Sequence, residues 1–172
     1  TSMADAKNTS SLGMRLFIDN KVINFEPAFA EAHYNRGNAF FYLNKFKNAI
    51  ACYDMTINFA PNHALAFSNR GNALNSLKFL ELALDSYKNA YRINPDLDFL
   101  SGKIIFLQMQ ICNWNGLDVD TSQLVNLVNC GMKSSACLEL LALVDDPSIQ
   151  LKAAKIYGWE RGFKGPALGP LH

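Results

Sequence analysis

The sequence predicts an all-α fold of repeated helix pairs stacked into a solenoid, and three observations predict it. Pro27, Pro61 and Pro95 stand thirty-four residues apart, and each closes a similar phrase: Val-Ile-Asn-Phe-Glu-Pro at 22–27, Thr-Ile-Asn-Phe-Ala-Pro at 56–61, Tyr-Arg-Ile-Asn-Pro at 91–95. Between them two full units, 30–63 and 64–97, align without a gap. They share Asn-Arg-Gly-Asn-Ala at 35–39 and 69–73, Leu43 with Leu77, Ala49 with Ala83, and Tyr53 with Tyr87. Apolar residues such as Phe40, Phe46, Ile50, Tyr53 and Ile57 recur at helical spacing, as in a unit that buries one face against its neighbours.

Taken in order, residues 1–11 are polar and read as a disordered tail. Residues 12–29 hold a partial unit with only a second helix, from about Leu12 to Phe25. The first full unit (30–63) places helices at about 30–43 and 46–59, and the second (64–97) at about 64–77 and 80–93. Gly37 and Gly71 fall inside helices, where Gly costs up to about 1 kcal/mol relative to Ala. That cost is tolerable where two helices cross closely, with Ala49 and Ala83 as the small residues opposite. Each proline stops a second helix and sets the turn into the next unit.

Residues 98–160 read as a degenerate repeat and helical connector. A first helix at 98–111 carries apolar residues all round, Gly116 breaks it, and 122–130 forms a short helix capped by Gly131. Asp146-Pro147 opens a last helix, with Asp as cap and Pro in the first turn. Residues 161–172 hold three Gly and two Pro and are expected to be disordered.

Composition narrows the function. Of the 172 residues, 49% are hydrophobic and 18% charged, which is ordinary for a packed soluble domain. Sixteen Lys and Arg against fifteen Asp and Glu, with no basic run, argue against a nucleic-acid partner. No apolar stretch approaches the roughly 20 residues of a membrane span, and 1–11 lacks the apolar core of a signal peptide. A cytoplasmic protein with no membrane partner is expected. Cys52, Cys112, Cys130 and Cys137 show no C-x-x-C pairing and read as buried thiols in a reducing compartment.

The shared places and the thirty-four-residue spacing resemble the tetratricopeptide-repeat family, strongly over 22–97, which implies a right-handed α-α superhelix with a C-terminal helical extension. Two departures are His33 and Phe67 at the family's fourth-place aromatic, and Arg36 and Arg70 at its seventh-place Leu. A second resemblance lies further along. Cys112-Asn113-Trp114, then Leu-Leu-Ala-Leu-Val-Asp-Asp-Pro at 140–147 and Gln-Leu-Lys-Ala-Ala at 150–154, is similar to a particular connector. That segment joins repeats to catalytic lobes in bacterial relatives of protein O-linked N-acetylglucosamine transferase and in SPINDLY proteins. The resemblance implies a substrate-recruiting region ahead of a glycosyltransferase, although the Gly/Pro-rich 161–172 differs from the segment after the connector in those relatives.

No catalytic motif, cofactor fingerprint or metal-ligand spacing stands in the chain, so no enzyme activity, cofactor or metal is expected of it. His33, His63 and His172 lie far apart, and Asp145-Asp146 reads as a helix cap. Asp118 and Asp120 read as loop residues. The informative polar residues are Asn35, Asn38, Asn69 and Asn72. Each pair is three apart on one helix face, off the apolar stripe, and so is expected on the concave side. A carboxamide donates and accepts, as the backbone of an extended peptide does. In the resembling transferases an asparagine ladder in these places binds substrate peptides, and Asn35 and Asn69 carry that over directly. Tyr34, Phe41 and Tyr42 are expected to add apolar contact. The alternative role for these asparagines is an inter-helix hydrogen bond or plain solubility.

Domains that clamp acidic chaperone C-termini place Lys at groove positions that here hold Tyr34, Asn38, Asn69, Phe99 and Lys103, which argues against that ligand. The expected partner is therefore a protein or extended peptide in the concave groove. The alternative is self-assembly as a homo-oligomer. At the N-terminal edge Phe17, Ile18, Val22 and Phe25 need cover, which a second copy is a candidate to supply.

Overall fold

The computed structural model describes residues 3–134 and 144–160, and every regular element among them is helical. The chain separates into two compact units that part between Pro95 and Asp96. The first holds α1 (Met3–Phe25), α2 (Ala30–Tyr42), α3 (Phe46–Phe59), α4 (Ala64–Ser76) and α5 (Leu80–Ile93). The second holds α6 (Leu100–Gln110), α7 (Leu117–Asn129) and α8 (Pro147–Glu160).

In the first unit consecutive helices pack on one another, so that α2 lies between α1 and α3, and α4 between α3 and α5. The turns inside the pairs are copies of each other. At the end of α2, Asn44 N–H donates to Phe41 O (2.9 Å) and Lys45 N–H to Phe40 O (2.9 Å). At the end of α4, Lys78 donates to Asn75 O (2.9 Å) and Phe79 to Leu74 O (3.0 Å). Asn44 and Lys78 take left-handed φ of 57° and 65° to make these closures. A third copy stands at the end of α6, where Cys112 (φ 55°) donates to Met109 O and Asn113 to Gln108 O. Residues 44, 78 and 112 keep the thirty-four-residue period, so the repeat persists in backbone geometry beyond the point where side-chain identity drifts.

The glycines mark where the pairs close. A Cβ on Gly37 would lie 2.6 Å from Tyr53 Cε1, and one on Gly71 would lie 2.6 Å from Tyr87 Cε1. The element opposite each glycine is therefore a tyrosine ring, rather than Ala49 or Ala83 alone. Those alanines are fully buried beside the rings at 0% exposure, because a flat ring on a bare backbone leaves room only for methyl groups around it.

Arg36 and Arg70 explain the loss of the seventh-place leucine. Arg70 bridges Asp54 on α3 (Nε to Oδ1, 2.6 Å) and Ser86 on α5 (Nη1 to Oγ, 2.7 Å). Arg36 does the same one period earlier, to Asn20 on α1 (3.3 Å) and Cys52 Sγ on α3 (3.2 Å). A polar clasp thus replaces an apolar peg at equivalent places.

In the second unit Ile105, Leu124, Val128 and Ala153 form the core, with Leu117, Val144, Ile149 and Ile156 packed on it. Gly131 (φ 78°) ends α7, donating to Val128 O while Met132 donates to Leu127 O. Asp146 caps α8, accepting from Ser148 N (2.8 Å) and Ser148 Oγ (2.7 Å). These bonds favour its charged form and hold the carboxyl below the usual range.

Several expectations are corrected. α1 begins at Met3 rather than Leu12, so 3–11 is helical and not a disordered tail; the segment Met-Ala-Asp-Ala-Lys contains good helix formers and no proline. α7 begins at Leu117 rather than Ser122, which puts Asp118 and Asp120 in a helix instead of a loop, because Leu117 packs on the core directly after Gly116 turns the chain. α6 is shorter than expected, starting at Leu100. Cys52 is buried, but Cys112 and Cys130 are exposed, since both sit in helix-ending turns. Cys137 and the tail at 161–172 lie outside the described residues.

This packing sets the sign of two substitutions. Gly71→Ala is expected to destabilise by about 1–3 kcal/mol through overpacking against Tyr87. Gly13→Ala, mid-helix with nothing within 4 Å of the added Cβ, is expected to stabilise by about 0.5–1 kcal/mol. Urea denaturation of the two variants checks both signs. For α8, Asp146 contributes stability above its unfolded pKa of about 3.9, and that contribution is lost as pH falls through its lower folded value. Asp146→Ala is therefore expected to lower the melting temperature at neutral pH, with the difference shrinking as the pH falls through the folded carboxyl's lowered value.

Candidate functional site

The same tyrosines that rest on the glycines reach polar partners next to them. Tyr53 Oη donates to Asn38 Oδ1 (2.9 Å), and Tyr87 Oη donates to Asn72 Oδ1 (2.8 Å). Each Asn comes directly after its Gly in the chain, so one ring closes the helix pair and then pins the neighbouring carboxamide. Tyr53 is 1% exposed and Tyr87 2%. Burial pushes the Tyr53 phenol well up from its ordinary value, which keeps it protonated as a donor.

The pinned carboxamides then meet across the repeats. Asn69 Nδ2 on α4 donates to Asn38 Oδ1 (2.9 Å) and to Tyr34 Oη (3.1 Å), both on α2. Asn72 Nδ2 donates to Asn69 Oδ1 (3.4 Å). A continuous chain of hydrogen bonds therefore runs from Tyr87 through Asn72, Asn69 and Asn38 to Tyr53. It fixes the orientation of each amide. Asn38 uses its oxygen twice, and its Nδ2 hydrogens have no partner among the described residues.

Beside this chain lies an open cleft of ≈ 140 Å³, lined by Asn38, Phe41, Tyr42, Tyr53, Asn69 and Asn72. Phe41 stands edge-on to Phe46 (5.4 Å) and to Tyr42 (6.2 Å). Tyr42 is 70% exposed and forms the outer wall. The lining is thus aromatic with carboxamides, and it contains neither a cation nor an anion.

Of the seven residues singled out in the sequence, Asn38, Asn69, Asn72, Phe41 and Tyr42 line the cleft. Tyr34 stands behind it: its ring packs on His63 (4.7 Å) and Tyr53 (6.2 Å), and its hydroxyl accepts from Asn69. Asn35 is half-buried and is not part of the cleft. The sequence weighted Asn35 and Asn69 alike, yet the helix turn between places 35 and 38 separates them. Tyr53 and Tyr87, which the sequence pattern marks only as packing residues, act as polar anchors. Their signal was available as a Gly-Asn pair with a Tyr at the same distance downstream in both units.

His33 and His63 are held by contacts within the fold, and His172 lies outside the described residues. His33 is buried, donates from Nε2 to Pro27 O (2.8 Å) and packs on Phe59. His63 caps α4, its Nδ1 accepting from Ala66 N (3.1 Å). Among the described residues no three His, Cys, Asp or Glu side chains group as metal ligands. No helix there is long and apolar enough to cross a membrane.

The helix pairs define the class: an all-α solenoid. The family model for the tetratricopeptide repeat matches residues 30–63, the unit formed by α2 and α3. No curated protein matches the chain in sequence. Among solved structures, the chain is similar to the first TPR of Spaghetti (RPAP3) bound to HSP90 peptide SRMEEVD, with a TM-score of 0.58 and 19% identity over 63% of this chain and 86% of that one. It is also similar to MamA, with a TM-score of 0.64 and 14% identity over 91% of both chains. The 41-end form of MamA from Desulfovibrio magneticus RS-1 gives 0.63 and 17% over 72% of this chain and 70% of that one. At these identities the likeness extends to the fold alone.

Tyr87→Phe is expected to cost about 0.5–1.5 kcal/mol by removing one hydrogen bond from the chain, while the ring still fills the space on Gly71. Chemical denaturation checks this. Tyr87→Ala, which also empties the ring site, is expected to cost about 3–5 kcal/mol.

Proposed function

We propose that the first unit is a binding module that takes an extended, uncharged peptide segment along the cleft at Asn38, Asn69 and Asn72. The observation that carries this is the state of the Asn38 carboxamide. Its oxygen is held by two donors, which turns its free N–H groups toward a partner without spending ligand energy on orienting them. A peptide carbonyl is the complementary acceptor. Phe41 and Tyr42 supply an aromatic wall for an apolar side chain next to that carbonyl. The absence of cations from the lining separates this site from one suited to acidic peptides such as the one bound to the RPAP3 domain.

A finer reading rests on the connector residues quoted from the sequence: the module recruits protein substrates for a glycosyltransferase region of the same protein. Cys112–Trp114 and 144–154 fall within the described residues, and 140–143 lie outside them. The full reading frame of the gene tests this directly, since the reading requires two catalytic lobes after the connector.

The groove itself is tested with a peptide array probed by the full chain, and then by titration of the best binder. Tyr42→Ala changes an exposed side chain, so its stability cost is expected to stay within about 0.5 kcal/mol. Affinity is expected to fall at least about tenfold, in line with loss of an aromatic contact. Asn35→Ala, outside the cleft, is expected to leave affinity unchanged. Equal loss from both variants, or from neither, would sink the assignment.

A further inference from the structure

Donors and acceptors around the cleft are not balanced. The three carboxamide oxygens are engaged within the fold: Asn38 Oδ1 accepts from Tyr53 and from Asn69, Asn69 Oδ1 from Asn72, and Asn72 Oδ1 from Tyr87. The Asn38 Nδ2 hydrogens are without a partner among the described residues. Most residues of an extended peptide bring one carbonyl and one N–H to such a surface. Here the carbonyl is answered by Asn38, while the N–H meets carboxamide oxygens that already accept. Proline brings the carbonyl alone.

The aromatic wall has a matching shape. Phe41 and Tyr42 follow Asn38 by three and four residues on α2, so rings and donor share a helix face. The Tyr42 ring stands at 82° to Phe41, with centroids 6.2 Å apart, and Phe46 braces Phe41 edge-on from α3. Two rings near a right angle make a corner. A pyrrolidine ring fills it without losing side-chain rotamers. The spacing agrees as well. Four residues of α-helix rise about 6 Å, and two residues of polyproline II also rise about 6 Å. A segment beside α2 thus sets a carbonyl on Asn38 and, two residues on, a ring against Tyr42. The cleft is smaller than the roughly 300–1,000 Å³ of pockets that enclose a whole small molecule, and its lining is uncharged.

We infer that the cleft takes a proline-rich segment of a partner polypeptide in the polyproline II conformation. One of its carbonyls accepts from Asn38 Nδ2, and a pyrrolidine ring sits in the corner of Phe41 and Tyr42. This occupant presupposes that the cleft binds peptide, as proposed above, and narrows the uncharged segment to one class. A polyproline II chain has no internal hydrogen bonds, so its carbonyls are available to a donor. Its conformation is already extended, which lowers the ordering cost of binding.

The test titrates the full chain with two capped synthetic peptides of equal length, decaproline and an uncharged sequence alternating alanine and glutamine. Decaproline is expected to bind saturably and at least about fivefold tighter than the alternating peptide. That preference is expected to vanish in Tyr42→Ala and to survive in Tyr42→Phe, which keeps the ring. Asn38→Asp retains the oxygen that Tyr53 and Asn69 use and removes the donor. It is expected to weaken both peptides at least about tenfold. A smaller preference for decaproline, or one that survives Tyr42→Ala, overturns the proline-rich occupant. In that case weakening of both peptides by Asn38→Asp leaves the cleft standing as a peptide site. Binding of neither peptide, or binding that Asn38→Asp leaves unchanged, overturns the occupant and the peptide-binding role of the cleft together.

Discussion

The contact of a tyrosine ring with a bare glycine backbone, Tyr53 on Gly37 and Tyr87 on Gly71, organises the first unit. Each ring lies where a Cβ would stand 2.6 Å away, so the two helices of a pair approach as closely as main chain and aromatic ring allow. The hydroxyl at the end of the ring has then to find a polar partner, because a buried phenol without one costs about 1–3 kcal/mol. The Asn next to each Gly is within reach, and both units use it. A steric requirement at the helix crossing thereby sets the orientation of the carboxamides on the neighbouring face.

From that point the units become linked to each other. Asn38 and Asn69 come from different repeats, and their bond joins α2 to α4 on the same face as the cleft. On another part of the surface Arg36 and Arg70 join each second helix to the next one. The cleft is thus bordered by groups whose hydrogen bonds are already made, which leaves one amide available and its direction determined. Sites held this way lose little entropy on binding. The drawback is lower tolerance to mutation, since changing Asn69 disturbs both the cleft and the joint between repeats.

α1 shows what happens when the pattern is interrupted. Asp19 replaces the ring-bearing Tyr, Arg15 replaces the small Ala49, and Ile18 replaces the buried Cys52. The helix still packs on α2 through its other side, yet a stripe of large apolar residues stays open to solvent. Apolar surface of that kind on an otherwise packed repeat is a feature of association sites.

What the sequence determined by itself was periodic and local. The thirty-four-residue spacing placed α3 and α5 to the residue and α2 and α4 within one, because proline stops and helical apolar spacing act over a few turns. It also identified Gly37, Gly71, Tyr53 and Tyr87 as equivalent in pairs. The choice among the asparagines was decided by the tertiary structure. Asn35 and Asn38 are three residues apart on one helix, and only the crossing angle of the pair and the reach of the Tyr53 hydroxyl separate the one in the cleft from the one outside it. The same holds for Arg36 and Arg70, which looked like departures from a pattern until Asp54, Ser86, Asn20 and Cys52 were brought around them from other helices. Helix identity is encoded within a helix; which side chain of a face becomes a site is encoded in the helix packed against it.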